Sequence, residues 1–373
     1  MESRLRFRVL AEDGEARVGR LATRHGEIQT PAFMPVATYG AVRGVGAEDL
    51  EALGAEIALA NTYHLHERPG EAVVQGAGGL HGFTGWRRPW LTDSGGFQIT
   101  SLADRVEVAE SGVTFSSALD GTRRELTPER VIAIQEALGA DIAMVLDECV
   151  PEAVADRARA ESALERSLRW AERARTCHAR SDQALFGIVQ GGVDHELRRR
   201  SARETVSLGF DGYAHGGLGL GETADQRRGA LLEAHVYLPP DRPRYLMGLG
   251  RPEDLVRAID CGVDLFDCVV PTRHARHGLL FTGQGQIVVR NARFARDERP
   301  PDGDCDCPTC GRYSRAYLRH LLQTGEALGA RLATLHNLRF YLRTLEKARL
   351  AISEGRFGAF RDEVLARAAL REG

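Results

Sequence analysis

The 373-residue chain is 43% apolar and 27% charged and has a formal charge of −3, the composition of an ordinary soluble globular protein and not of a disordered or fibrous one. No apolar run approaches the ~20 residues of a membrane helix, and the opening residues lack a signal-peptide core, so no membrane partner and a cytoplasmic location are expected. The seven cysteines are odd in number, and three of them, Cys305, Cys307 and Cys310, crowd together, which argues for a metal site over a disulfide framework.

In chain order, residues 1–25 alternate apolar and polar around Glu12, Asp13 and Gly14 and predict a β-hairpin cap. Eight short, apolar stretches rich in β-branched residues follow, at 31–37, 57–61, 90–93, 142–147, 184–190, 212–217, 244–248 and 265–270. Helical signals lie between them. Thr127 and Pro128 open one helix as N-cap and first residue, and Gly139 closes it. Arg251, Pro252, Glu253 and Asp254 open another that stops near Gly262, and 153–180 and 193–208 read as longer ones. The stretch 112–126, with Asp120-Gly121 as its turn, interrupts the pattern as an inserted hairpin.

Eight β/α units match the size of a TIM barrel, about 250 residues, better than that of an open doubly wound sheet. The expected architecture is a single α/β barrel domain over 1–373, with the β cap over 1–25 and a zinc-binding helical subdomain over 285–345. Asn61, Asp93, Asp147, Gln190, Gly217 and Asp267 fall at or just beyond the C-terminal ends of predicted strands, where such barrels build their sites.

Individual motifs carry the chemistry. Asp93 begins Asp-Ser-Gly-Gly-Phe-Gln (93–98), whose glycines admit a flat ligand close to the backbone while the carboxylate exchanges a proton. Asp267 stands among apolar residues. It is either a buried partner of Arg273 or Arg276, or a nucleophile with those arginines free to bind phosphate. Asp147 and Gln190, with the glycine amides at 216 and 217, offer the acceptors and donors that a guanine-like base requires. After the three cysteines, both His320 and His336 are open as the fourth ligand of a structural zinc, His336 on a helix predicted over 331–348. Nine arginines face five acids between Cys268 and His320, a basic segment in an otherwise acidic chain. Arginine is used almost throughout, and Lys347 is the one lysine.

Taken together, DSGGFQ (93–98), DEC (147–149), IVQGG (188–192), GGL (216–218), YLMG (245–248), FDCVVPTR (266–273) and CDCPTC (305–310) resemble the bacterial tRNA-guanine transglycosylases, also called queuine tRNA-ribosyltransferases. The resemblance runs from about residue 6 to 365. It implies that Asp267 is the nucleophile attacking the ribose of the wobble guanosine (position 34, in a U-G-U sequence of the anticodon loop) and that Asp93 is the general acid/base. Asp147, Cys149, Gln190, Gly216, Gly217 and Leu218 would hold the base, with Tyr245 and Met247 against its faces and Asn61 and Phe97 completing the pocket. Arg273 and Arg276 would contact the anticodon loop of the tRNA. The zinc ligands would be Cys305, Cys307, Cys310 and His336, one structural ion per chain.

Bulky Leu220, with Glu222 near an aminomethyl group, would favour the prequeuosine base 7-aminomethyl-7-deazaguanine over queuine, as a step in queuosine biosynthesis. Gly219 stands where alanine is common in the family. The resemblance also implies a homodimer, with Tyr313, Tyr317 and His320 at its interface. Base exchange with retained stereochemistry calls for two displacements, as in retaining glycosidases. Two rivals are weaker. A non-catalytic tRNA-binding barrel would lack one of the three aspartates, and a zinc hydrolase would carry its metal at strand ends with an open position.

Overall fold

The structure, a computed structural model, describes residues 5–102, 104–150 and 156–370; of 100–102 and 104–105 it describes the backbone alone. The cap comprises β1 (Arg6–Asp13), β2 (Ala16–Thr23) and β3 (Gly26–Thr30), paired antiparallel in that order. It has one strand more than the hairpin expected over 1–25. Leu21 and Ile28, opposite each other in β2 and β3, are fully buried and join the barrel's inner core, so burial of this face favours the third strand.

The barrel strands begin with β4 (Ala32–Pro35), β5 (Ala58–Ala60) and β6 (Trp90–Thr92). An inserted antiparallel sheet follows, with β7 (Asp104–Val108), β8 (Val113–Ser116) and β9 (Arg123–Leu126). It replaces the simple hairpin expected over 112–126, and its Asp120-Gly121 turn lies between β8 and β9. The barrel then resumes with β10 (Ile142–Met144), β11 (Ala184–Val189), β12 (Gly212–His215), β13 (Arg244–Leu246) and β14 (Leu265–Cys268).

These eight strands form one parallel sheet in the order β4-β14-β13-β12-β11-β10-β6-β5, each within a predicted stretch. A parallel bridge between Val36 and Leu59, with the Ala37 N–H donating to the Leu59 carbonyl at 2.7 Å, brings the two ends together. The result is a nearly closed TIM barrel. Its strands are buried on both faces, which is why they read as continuous apolar runs.

The helix signals hold at the caps. The Thr127 hydroxyl accepts from the Arg130 N–H, Pro128 opens the helix Pro128–Leu138, and Gly139 ends it at φ +71°. Of the helix expected over 153–180, residues 153–155 lie outside the described residues; Arg157–Cys177 is helical, as is His195–Ser207. Among the described residues no helix is long and apolar enough to cross a membrane.

The end of the barrel opposite the strands' C-termini is locked by charge. The Arg17 guanidinium, from the cap, makes two bonds to Asp264 at 2.6 and 2.9 Å and donates to the carbonyls of Pro240 and Arg242. Beside the next gap, Asp141 accepts from the Trp90 N–H and from His25 Nδ1, with His81 against its other side. Those interactions hold its carboxyl below the usual carboxylate range despite burial.

Beyond β14 the chain forms the helix Val270–Arg276, then a hairpin of β15 (Leu279–Thr282) and β16 (Gly285–Val288). The helices Arg315–Thr324 and Ala327–Ser353 follow, and the helix Phe357–Ala369 comes last. The appendage therefore starts a strand earlier than residue 285, and its second helix runs past residue 345. Ala327–Ser353 packs against β1, β2, β4 and β15, which ties the appendage to both the cap and the barrel.

Candidate active site and metal centre

All of the strand-end residues singled out from the sequence gather at the C-terminal mouth of the barrel. Asp93 follows β6 and is buried. Both of its oxygens are held: Oδ1 accepts from the Thr62 N–H at 2.9 Å, and Oδ2 accepts from the Asn61 amide and from Gln98 Nε2. Burial, with a smaller push from the Asp267 charge, raises its pKa to about 6 against the pull of those donors.

Asp267 lies in β14 and is held differently. The Tyr245 hydroxyl and the Gly248 N–H both donate to Oδ1, each at 2.6 Å. Burial pushes this carboxyl up, and those two bonds draw it down. Neither Arg273 nor Arg276 is its partner. Arg273 is exposed on the helix just beyond, while Arg276 caps the Thr272 carbonyl and feels the charges of Arg43 and Arg273. A cluster of cations thus sits beside the mouth without neutralising the carboxylate.

The third carboxylate, Asp147, accepts from Gln190 Nε2 at 2.5 Å and from the Ser94 hydroxyl at 3.5 Å, and burial raises it to about 6. Gln190 lies across Gly216 and Gly217. A Cβ at either glycine would stand 2.6 Å from the Gln190 amide, so no side chain fits there. The Cys149 thiol feels the Gly217 N–H and the Asp147 charge, and burial pushes it up to about 12. Glu148, between them, is turned away to Arg159 and Arg166.

Two expected contacts look different in three dimensions. Tyr245 was expected against a face of the base, but it is only 1% exposed and its hydroxyl is committed to Asp267. Phe97 is exposed and Met247 is half-buried. Glu222 was expected near an aminomethyl group. Its two oxygens instead accept from the Gly219 and Leu220 N–H groups at 2.6 and 2.9 Å, and Arg227 pairs with it. These donors hold its pKa down against desolvation. The carboxylate thus braces the loop that carries buried Leu218 and half-buried Leu220.

Several contributors left no clear mark in the sequence. Thr62, Ser94, Gln98 and Ser201 act through hydrogen bonds to the site residues. The first three adjoin or lie within recognisable motifs, and only that adjacency could have flagged them.

The residues of the expected metal centre form a cluster. Cys305, Cys307, Cys310 and His336 bring their ligand atoms within 4.8 Å of one another. His336 Nδ1 lies 3.2 Å from the Cys310 sulfur and 3.7 Å from the Cys307 sulfur, while Nε2 donates to the Phe281 carbonyl at 2.7 Å. Those separations suit the edges of a tetrahedron around zinc, and the Nε2 bond fixes the tautomer that leaves Nδ1 free to ligate. His320 is exposed on a different helix and is not in the cluster. These four side chains lie outside the barrel mouth, and a metal held by them would have a closed set of ligands. On the same helix as His336, Asn337 binds the backbone of Pro271, Leu279 and Phe281, and the Tyr341 hydroxyl donates to the Gly250 carbonyl at 2.7 Å.

The profile of the family described as queuine tRNA-ribosyltransferase matches residues 12–369. A protein of that name from Thermus thermophilus is 54% identical over 367 residues, covering 98% of this chain and 95% of its own. Namesakes from Thioalkalivibrio sulfidiphilus and Moorella thermoacetica are 52% and 54% identical over 357 residues each, with coverage of 94–96% on both sides.

Proposed function

The chain belongs to the queuine tRNA-ribosyltransferase family, and from that premise we propose that it exchanges the wobble guanine of a tRNA for another base by two displacements at one ribose carbon. It is a pentosyltransferase, and tRNA is its macromolecular substrate. The observation that carries the mechanism is the unequal bonding of the two carboxylates. Asp267 receives both of its bonds on Oδ1, so Oδ2 is the oxygen presented for attack. Asp93 is pinned through both oxygens with a pKa of about 6, suited to giving and taking a proton near neutrality and not to forming a bond.

In the first displacement Asp267 Oδ2 attacks C1′ of the ribose. The C1′–N9 bond breaks with its electron pair on N9, and Asp93 supplies the proton to the departing guanine. In the second, the incoming base gives its N9 proton to Asp93, N9 attacks C1′, and the ester bond returns its pair to Asp267. Two inversions retain the configuration. The target base must leave its stack, at about a few kcal/mol and least in a single-stranded loop. Arg273 and Arg276 hold the phosphates of the anticodon loop in this reading, and its U-G-U sequence comes from the family resemblance.

Asp147, ionised, accepts from the ring N–H and the exocyclic amine, while Gln190 and the Gly217 N–H meet the carbonyl. Phe97 and Met247 supply the faces. Leu220 narrows the loop toward a small substituent, which favours 7-aminomethyl-7-deazaguanine over queuine; Glu222 contributes by bracing that loop. Zinc held by Cys305, Cys307, Cys310 and His336 would supply a structural crosslink. We also carry over the homodimer. Tyr313 and Tyr317, stacked with centroids 5.5 Å apart and Tyr317 exposed, are its proposed contact.

The deciding experiment is a covalent trap. Enzyme, cognate tRNA and 9-deazaguanine are mixed and denatured. Wild type should give an RNA–protein band, and Asp267→Asn should not. A band that survives in Asp267→Asn but disappears in Asp93→Asn would reverse the two roles.

A further inference from the structure

Arg198 is among the largest fully buried side chains of the molecule. It lies on the helix His195–Ser207, which packs behind β11. A buried guanidinium normally has a carboxylate against it, because an uncompensated charge inside a protein is expensive. Arg198 has none within salt-bridge distance among the described residues. Its Nη1 alone donates to two main-chain carbonyls, Val189 at 2.8 Å and Gly216 at 3.0 Å, one at the end of β11 and the other just beyond β12. Among the described residues, Nε and Nη2 meet no acceptor. Burial lowers its pKa to about 10, which leaves it cationic at neutral pH.

Those carbonyls belong to the amides that open Gln190 and Gly217. The Gln190 N–H is held by Ser201 Oγ at 2.8 Å, from the next turn of the same helix. The Val189–Gln190 amide is thus gripped at both ends. In the Gly216–Gly217 amide the cation holds the oxygen, and the N–H on the far side is the group assigned to the base. A hydrogen bond from a cation to an amide oxygen draws electron density toward it and strengthens the donor at the other end. The Gln190 side chain lies on this same amide.

We propose that Arg198 is the positioning residue of the base pocket: through Nη1 it fixes the Gln190 and Gly217 amides relative to each other and polarises the Gly217 N–H toward the base carbonyl. This rests on the reading of the pocket given above. An apolar side chain of the same length would fill the space behind β11 without the desolvation of a charge. The cation is therefore accounted for by the two carbonyls it joins.

The test is exchange of radiolabelled guanine into tRNA, with KM determined separately for guanine and for tRNA, and folding checked by circular dichroism and Tm. If wild type does not incorporate guanine, the reading of the pocket fails before any variant is compared. Arg198→Met should raise the guanine KM about tenfold or more with the tRNA KM within about twofold, the signature of lost base binding. Arg198→Lys, which keeps the charge on a shorter reach, should show a smaller rise of about threefold. A folded Met variant with unchanged guanine KM, an equal rise in both constants, or a Lys variant no better than Met would overturn the proposal. Should the Met variant not fold, the Lys variant alone decides, and an unchanged guanine KM in it overturns the proposal.

Discussion

The Tyr245 hydroxyl donates to Asp267 Oδ1 at 2.6 Å, from the strand beside the one that carries the aspartate. The bond orients the carboxylate and draws charge onto the oxygen that does not attack. Tyr245→Phe removes the donor and little else, because the ring is buried. A hydrogen bond to a charged group is worth about 1.5–3 kcal/mol, so kcat is expected to fall roughly 10- to 150-fold, with the tRNA KM nearly unchanged. Steady-state kinetics check this. A Phe variant with wild-type kcat would remove Tyr245 from the mechanism.

Asp147 links activity to pH and to stability. Its folded pKa of about 6 lies above the ordinary aspartate value of 3.8, so between those values the native state holds a proton that the unfolded state has released. Stability contributed by this group is therefore present at acid pH and lost as pH rises through about 6. Asp147→Asn should lose base binding yet melt higher than wild type at pH 8, with the gap closing toward pH 4. The magnitude is bounded by about 3 kcal/mol. Melting curves across that range test it. In wild type, guanine affinity should weaken as pH drops below about 6, because Asp147 must be ionised to accept both N–H groups.

Metal content separates the two histidines. His336→Ala should lower zinc below one per chain, measured by elemental analysis of purified protein, whereas His320→Ala should leave it near one. Equal loss in both would mean that the fourth ligand is not His336. Because the helix carrying His336 also delivers Tyr341 to Gly250, removal of the metal by a chelator should depress kcat before it unfolds the barrel.

The cap's buried ion pair makes a stability prediction. Arg17→Ala strands Asp264, whose side chain is fully buried, and breaking such a pair costs about 3–5 kcal/mol. Denaturant titration should show that loss, and Arg17→Ala with Asp264→Ala together should recover part of it.

Leu220 bears on the choice of base. In a competition between 7-aminomethyl-7-deazaguanine and queuine, wild type should take the first, and Leu220→Gly should narrow the preference. A wild type indifferent to the two would remove Leu220 as the discriminator.

Much of this was legible in the sequence. The eight strands are short and apolar on both faces, and caps such as Thr127 set off helices between them, so their positions could be read directly, and Asp93, Asp147, Gln190 and Asp267 followed from their places at strand ends. The third cap strand was not, because β3 is only five residues long and its pattern becomes meaningful once Ile28 meets the barrel floor. Tyr245 and Glu222 lie in recognisable motifs, but their contacts depend on side-chain direction, which a motif does not give. Arg198 was hidden most completely. It heads Arg198-Arg199-Arg200, a run that reads as a solvated helix face, and only packing shows that the first of the three points inward while the others pair with Glu233 and with Glu161, Glu165 and Glu204.

The Arg17–Asp264 pair joins residues 247 positions apart. On the ribosome, Arg17 emerges long before its partner, and at roughly 5–20 residues per second the cap waits tens of seconds for the eighth strand. Until then the barrel is an open sheet whose β5 end, bridged only once to β4, and newest strand are both unpaired edges. Closure is thus a late event gated by synthesis, and exposed edges of this kind are what chaperones and neighbouring nascent chains encounter first.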